Sequence, residues 1–192
     1  MKGSKPDGQG TSFVQTADIV SNRHLKERGN WDESLSLGML ALGVLEEHKH
    51  KMGEKYADIL MSLSSSYNCL GDRVKGLAYA KAHFKQRLLV EDSKPVAERD
   101  SAFSAMAYTE LSLAWLLNND YQEAITLAVQ GRRMLESTPE FLEDRYWPHW
   151  ADYHHAWALI GLGKAEAARP ILMKMLDWRR RQYGPDDTES MK

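Results

Sequence analysis

Residues 105–135 (AMAYTELSLAWLLNNDYQEAITLAVQGRRML) restrict the fold most strongly, because they hold two helical patterns separated by a turn signal. In the first pattern, apolar side chains recur three and four residues apart, as on one face of a helix: Tyr108, Leu111 and Trp115. Asn119-Asp120 interrupts this pattern, and Asp120 with Glu123 is a capping box that begins a second helix. The second apolar stripe is rich in Ala and Gly, which let two helices approach closely: Ala124, Leu127, Ala128, Gly131, Met134 and Leu135. The stretch therefore predicts a helical hairpin.

The same unit recurs along the chain. In each copy a small residue stands four or five residues after a turn signal: Ser34, Gly76, Ala124 and Ala168. The turn signals are Gly29-Asn30, Gly71-Asp72, Asn119-Asp120 and Gly163-Lys164. We therefore predict a repeat domain over residues 12–192, with units at about 15–51, 56–92, 95–137 and 140–183. Residues 1–11 are rich in Gly, Lys and Ser, and we predict a disordered tail there.

The pattern Tyr-x-x-Leu…Trp…Asp-Tyr-x-x-Ala, carried by Tyr108 to Ala124, resembles a tetratricopeptide (TPR) repeat. Residues 179–187 (RRRQYGPDD) are similar to the loop between repeats in kinesin-light-chain-type TPR proteins and in related fungal and bacterial ones. The resemblance covers about residues 15–192 and departs from the usual pattern at Gly76, where Ala is usual. It implies an all-α fold, a right-handed α-solenoid of about four TPR-like hairpins.

The end of the sequence predicts a continuation of the array. Gly184-Pro185 ends a helix, and Asp187 or Thr188 would cap the next one. Because the sequence stops at Lys192, we expect either an excised piece, whose partners include other domains of a longer chain, or a protein without its last helix. An open array also exposes apolar faces on its terminal helices, so a homodimer through one end is a further expectation.

Composition argues against several functional classes. The 192 residues carry a net charge of −2, which gives no reason to expect a nucleic acid or an anionic membrane as a partner. The N-terminus MKGSKPDGQGTS lacks the apolar core of a signal peptide, and no apolar run approaches the roughly 20 residues that span a bilayer. Cys69 is the only cysteine, so no internal disulfide can form. These observations leave the cytosol and the nucleus as locations, and of the two we predict a cytoplasmic protein.

The TPR resemblance implies a concave groove lined by the first helix of each hairpin. The predicted groove residues are Met61, Ser65 and Asn68 in the second unit, Met106, Thr109, Glu110 and Leu113 in the third, and Trp150, Tyr153, His154 and Trp157 in the fourth. One wall is polar and the other is aromatic and aliphatic, which suits a peptide or helix with apolar anchors. The favoured function is a non-enzymatic protein–protein interaction scaffold. Burial of the aromatic wall under a neighbouring or terminal helix is the alternative.

Residues 143–157 (EDRYWPHWADYHHAW) form the densest chemical cluster. Asp152 and His155, which stand where TPR repeats usually have apolar residues, share a helical face. With His154 they could bind a metal or act in acid–base chemistry, so an alternative function is a small-molecule-binding or enzymatic helical domain. Histidines satisfied within a helix interface are the favoured interpretation. The spacing matches no metal motif, and the chain lacks a phosphate loop and a nucleophile elbow. We therefore predict no catalytic residue, no cofactor and no metal.

Overall fold

The computed structural model describes residues 29–46, 52–96, 99, 101–136 and 146–184. Within these ranges it contains seven helices and no strand: α1 (Trp31–Glu46), α2 (Gly53–Cys69), α3 (Arg73–Ser93), α4 (Ser101–Leu117), α5 (Tyr121–Glu136), α6 (Tyr146–Gly161) and α7 (Ala165–Tyr183). The predicted all-α class is confirmed. The pairs α2–α3, α4–α5 and α6–α7 are the hairpins of the second, third and fourth units, and α1 is the second helix of the first. The predicted tail at 1–11 and the first helix of the first unit lie outside the described residues.

The chain divides into two compact units that are larger than the predicted repeats. The first compact unit is Met1–Arg99 and the second is Asp100–Lys192. In the first unit, α2 packs against both α1 and α3. Its core consists of buried side chains from α1 and α2: Ala41, Leu45, Ile59 and Leu63. In the second unit, the helices of each hairpin pack together, and α6 also packs against α5 and α4. Ala-rich clusters form its core: Leu116, Ala124 and Ala158 in one, and Ala156, Leu159 and Ala168 in the other.

The three described hairpin turns are built alike. Each contains a residue with a positive φ angle, a conformation that Gly and Asn adopt most easily: Gly71 (88°), Asn119 (62°) and Gly163 (72°). The N–H of the following residue donates a hydrogen bond to the carbonyl five positions earlier. These pairs are Asp72 to Tyr67 (2.9 Å), Asp120 to Trp115 (3.1 Å) and Lys164 to Leu159 (2.8 Å). This Schellman arrangement satisfies the last carbonyls of the first helix and directs the chain into the second.

The predicted capping box at Asp120 forms only in part. The Asp120 carboxylate accepts a hydrogen bond from the Glu123 N–H over 3.3 Å, as predicted. The return bond from the Glu123 side chain to the Asp120 N–H is not made, because that N–H donates to the Trp115 carbonyl instead. The Asp120 backbone N–H thus caps the end of α4, and the Asp120 side chain caps the start of α5.

The small residue predicted in each unit stands five positions after a residue with positive φ, and it is buried every time: Ser34, Gly76, Ala124 and Ala168. The repeat register read from the sequence is therefore present in the structure. At Gly76, the side chain of Asn68 on the neighbouring helix limits the size of the small residue. A Cβ atom there would lie 1.9 Å from Oδ1 of Asn68 on α2. Asn68 occupies the volume that an alanine methyl group would need, which accounts for the departure from the usual Ala.

A hydrogen bond not predicted from the sequence joins the two helices of two hairpins. The Ser64 hydroxyl donates to the Gly76 carbonyl over 2.9 Å, and the Ser112 hydroxyl donates to the Ala124 carbonyl over the same distance. Both bonds end on the small residue of the second helix, so they fix the two helices in the same register in each repeat. The corresponding position of the last hairpin is Ala156, which has no hydroxyl to donate.

Candidate protein-interaction surface

A hydrogen bond between α4 and α6 fixes the candidate surface in the second unit. Nδ1 of His154 lies 3.1 Å from the Thr109 carbonyl oxygen, and this carbonyl assigns the proton to Nδ1. His154 and Thr109 are both buried, and the Thr109 hydroxyl donates to the Ala105 carbonyl over 3.0 Å. Burial lowers the pKa of His154 to about 4, although its bond to Thr109 favours the protonated form. The prediction that these two side chains line an open groove is therefore corrected: they hold two helices together.

Three aromatic side chains lie on the solvent side of α6, and we call Trp150, Tyr153 and Trp157 the aromatic stripe. Their spacing of three and four residues places them on one helical face. They are 37%, 40% and 38% exposed, whereas Ala151, Ala156 and Ala158 on the other sides of the helix are buried. The burial considered as an alternative is thus not found for these rings. Tyr153 lies between the two tryptophans, with its ring centroid 5.9 Å from each.

The first helix of the preceding hairpin contributes a second row to this surface. Met106, Glu110 and Leu113 are half-buried and share one face of α4. On α4, Met106 precedes Thr109 by three residues and Leu113 follows it by four. On α6, Trp150 precedes His154 by four residues and Trp157 follows it by three. Because Thr109 and His154 are in contact, the two rows lie side by side. We call this combined surface, three residues of α4 and the aromatic stripe, the α4–α6 face.

One further apolar residue extends the aromatic stripe and was missed in the sequence. Ile160 follows Trp157 by three residues and is 48% exposed. The same helical periodicity that groups the aromatic residues could have identified it.

The predicted groove residues on α2, in the N-terminal compact unit, are less open. Met61, Ser65 and Asn68 are half-buried on α2. The Ser65 hydroxyl donates to the Met61 carbonyl over 3.1 Å within the helix. Asn68 Oδ1 is buried beside Gly76. Ser65 and Asn68 therefore have structural contacts within their own unit.

Asp152, one of the two residues considered as a catalytic alternative, is engaged by a residue of another helix. Asp152 Oδ1 lies 3.3 Å from Nε of Arg132, so the carboxylate joins α6 to α5. Burial raises the pKa of Asp152, while Arg132, Lys174 and His155 act in the opposite direction. Burial lowers the pKa of His155, and the nearby Asp152 partly opposes this. Arg132 was missed because nothing local in the sequence connects positions twenty residues apart on different helices.

No group of three potential metal ligands comes together among the residues that the structure describes. A cleft of about 590 Å³ lies instead in the first unit, between α2 and α3, and its lining is mostly apolar with Lys85 and Gln86 at its side. Within the described ranges, every helix is too short or too polar to cross a bilayer.

Comparison with known proteins supports the fold. No protein-family model matches the chain, and no curated protein matches it. Among solved structures, 22 chains match. One is a crystal structure of nearly identical TPR-like repeats from a Podospora anserina protein assigned as a kinesin light chain. It has a TM-score of 0.64 and 14% sequence identity, and the match covers 94% of this chain and 79% of that one.

This chain has a TPR-like repeat fold. The resemblance inferred from the sequence is confirmed at the level of the fold, including the similarity to kinesin-light-chain repeats. In the second compact unit, α4 and α6 are the first helices of the two hairpins.

Proposed function

We propose that this chain is a non-enzymatic interaction scaffold that binds a peptide or helix of a partner protein on the α4–α6 face. The observation that carries the proposal is the exposure of the aromatic stripe. Aromatic side chains dominate the binding energy of many protein interfaces, and a row of three in water leaves apolar area that a partner would cover. Isolated exposed apolar residues need no such explanation, but a contiguous row supports a binding role.

Each part of the α4–α6 face has a proposed role. The tryptophans of the stripe would receive the apolar anchors of the partner, and Met106 and Leu113 would widen the apolar contact. Glu110 would orient the partner through hydrogen bonds. Met61, Ser65 and Asn68 on α2 remain proposed contacts with a partner protein. A cytoplasmic location, which is consistent with the single cysteine, and pairing of two copies through terminal helices also remain proposals.

The arrangement around Asp152 gives the enzymatic alternative no comparable support. A general base or a metal ligand needs a carboxylate that can reach a substrate or an ion. The Asp152 carboxylate is instead engaged by Arg132 in a helix interface, with both side chains less than one-fifth exposed. Its ion pair serves to hold α5 and α6 together.

A peptide-display selection tests the proposed function. A random twelve-residue library on phage is selected against the immobilised chain and depleted on the Trp150→Ala/Trp157→Ala variant. We expect enriched peptides that bind the wild type and not this variant. Met173→Ala is the matched control, because Met173 is an exposed apolar residue on α7 (50% exposed) and its removal should leave binding intact. Circular dichroism establishes that both variants fold. Absence of stripe-dependent peptides would contradict the proposal.

A further inference from the structure

Resting on the proposed function, we infer that the partner segment at the aromatic stripe is a proline-rich peptide in the polyproline II conformation. The juxtaposition that supports this is a row of exposed rings that carries two hydrogen-bond donors, the Tyr153 hydroxyl and the Trp157 indole N–H. Among the residues that the structure describes, the Tyr153 hydroxyl and the Trp157 indole N–H make no hydrogen bond, and both side chains are about 40% exposed.

These two donors distinguish between the possible ligand conformations. In a bound helix, the backbone carbonyls already accept hydrogen bonds within the helix. Such a ligand would cover the Tyr153 hydroxyl and the Trp157 N–H without offering backbone acceptors. A polyproline II segment has no internal hydrogen bonds, so its carbonyls are free to accept from both donors. The polar groups of the stripe are therefore complementary to an extended backbone.

The spacing of the rings fits the period of the same conformation. Trp150 and Trp157 are seven residues apart on α6, a rise of about 10.5 Å along the helix. Polyproline II repeats every three residues, over about 9.3 Å. Prolines at positions i and i+3 of a ligand could therefore pack against the two indole rings, with the Tyr153 ring between them. Aromatic rows of this kind recognise PxxP segments by packing against a ligand that is already extended before binding.

The charge of the surface is consistent with such a ligand. Of the six side chains on the α4–α6 face, Glu110 alone carries a charge, and the adjacent His154 is neutral because burial lowers its pKa to about 4. A proline-rich segment offers mainly apolar rings and neutral carbonyls, so it covers the stripe without burying charged groups. An acidic segment would instead approach the Glu110 carboxylate at a cost.

The display selection described above also tests this inference, through the sequences that it enriches. We expect proline at positions three residues apart in the peptides that depend on the stripe. Enrichment of peptides without proline, with apolar residues at the three- and four-residue spacing of a helix, would overturn the inference and leave the proposed function standing. Absence of any stripe-dependent peptide would overturn both.

A conservative variant then tests whether the Trp157 indole N–H donates a hydrogen bond to the ligand. Trp157→Phe keeps an aromatic ring and removes the indole N–H. For an enriched proline-containing peptide, titrated by fluorescence anisotropy, we expect binding about fivefold weaker than wild type, the loss of one hydrogen bond. The control Met173→Ala should bind as wild type. Unchanged affinity in Trp157→Phe would show that the indole N–H does not contact the ligand and would overturn the inference.

Discussion

Nδ1 of His154 lies 3.1 Å from the carbonyl oxygen of Thr109, and this contact joins the first helices of two successive hairpins. Both side chains are buried in the interface between α4 and α6, whereas Trp150 and Trp157, four and three residues from His154, are exposed. Trp150 and Trp157 on α6 therefore stand beside Met106 and Leu113 on α4. A structural contact in the helix interface thus determines where the proposed binding residues lie.

Acid should weaken the fold through His154. The unfolded chain takes up a proton below the ordinary histidine pKa of 6.5, whereas burial lowers the pKa in the folded chain to about 4. The stability from a neutral His154 is therefore complete above pH 6.5 and is lost as the pH falls from 6.5 towards 4. At pH 5 the loss should be about 2 kcal/mol relative to pH 7.5.

Chemical denaturation of His154→Asn measures this loss, because asparagine keeps an N–H donor for the Thr109 carbonyl and does not titrate. We expect its free energy of unfolding to fall less between pH 7.5 and pH 5 than that of wild type, by about 2 kcal/mol. His83, whose pKa is also lowered to about 4, by burial and by Arg87, contributes the same dependence in the first unit. The double variant His83→Asn/His154→Asn should therefore show a smaller pH dependence than either single variant. An unchanged pH profile in His154→Asn would be inconsistent with a buried neutral imidazole.

Gly131 should tolerate no larger residue, because α4 and α5 approach closely there. A Cβ atom would lie 2.9 Å from the Thr109 hydroxyl oxygen and 3.0 Å from the Ala105 carbonyl oxygen, and the carbonyl belongs to a helix backbone that cannot easily move. We expect Gly131→Ala to lower the free energy of unfolding by about 1–3 kcal/mol.

The matched control for Gly131 is Gly43→Ala. Gly43 lies within α1, and a Cβ there meets no atom within 4 Å. Alanine is the better helix former, so this variant should be more stable than wild type by about 1 kcal/mol. Urea denaturation of both variants gives the comparison. Equal stabilisation in the two would show that helix propensity, and not the approach of α4 to α5, decides the effect at Gly131.

The ion pair between Arg132 and Asp152 should show strong coupling. Removing the guanidinium in Arg132→Met leaves a mostly buried carboxylate without its partner, which should cost about 2 kcal/mol and raise the pKa of Asp152 further. The double variant Arg132→Met/Asp152→Leu removes both charges, so we expect it to regain at least half of that stability. A double-mutant cycle measures the coupling. Additive losses would mean that the two side chains do not interact.

Local patterns predicted the hairpins because their determinants are close in sequence. Gly71, Asn119 and Gly163 give the turns through their backbone preferences, and the small residue five positions later is needed for close helix packing. The exposure of the aromatic stripe also follows from periodicity, once α6 is known to bury its alanines.

The helix-to-helix contacts could not be read in the same way. His154 and Thr109 were predicted as groove residues because their positions in the repeat suggested it, yet the lateral approach of α6 to α4 buries them. Arg132 pairs with Asp152 across helices, and the sequence gives no sign of which carboxylate it meets. The Ser64 and Ser112 hydroxyls likewise find acceptors twelve residues later, on another helix. Tertiary packing, not local propensity, decides each of these contacts.

The most direct test of the central claim is a two-dimensional NMR spectrum of the indole N–H groups. The chain has six tryptophans, which give one signal each and are assigned by single Trp→Phe variants. Titration with a peptide selected on the chain should shift the signals of Trp150 and Trp157 and leave that of Trp178, which is packed on His149, in place. Binding that shifts Trp31 or Trp178 while Trp150 and Trp157 stay fixed would contradict the assignment of the α4–α6 face as the binding surface.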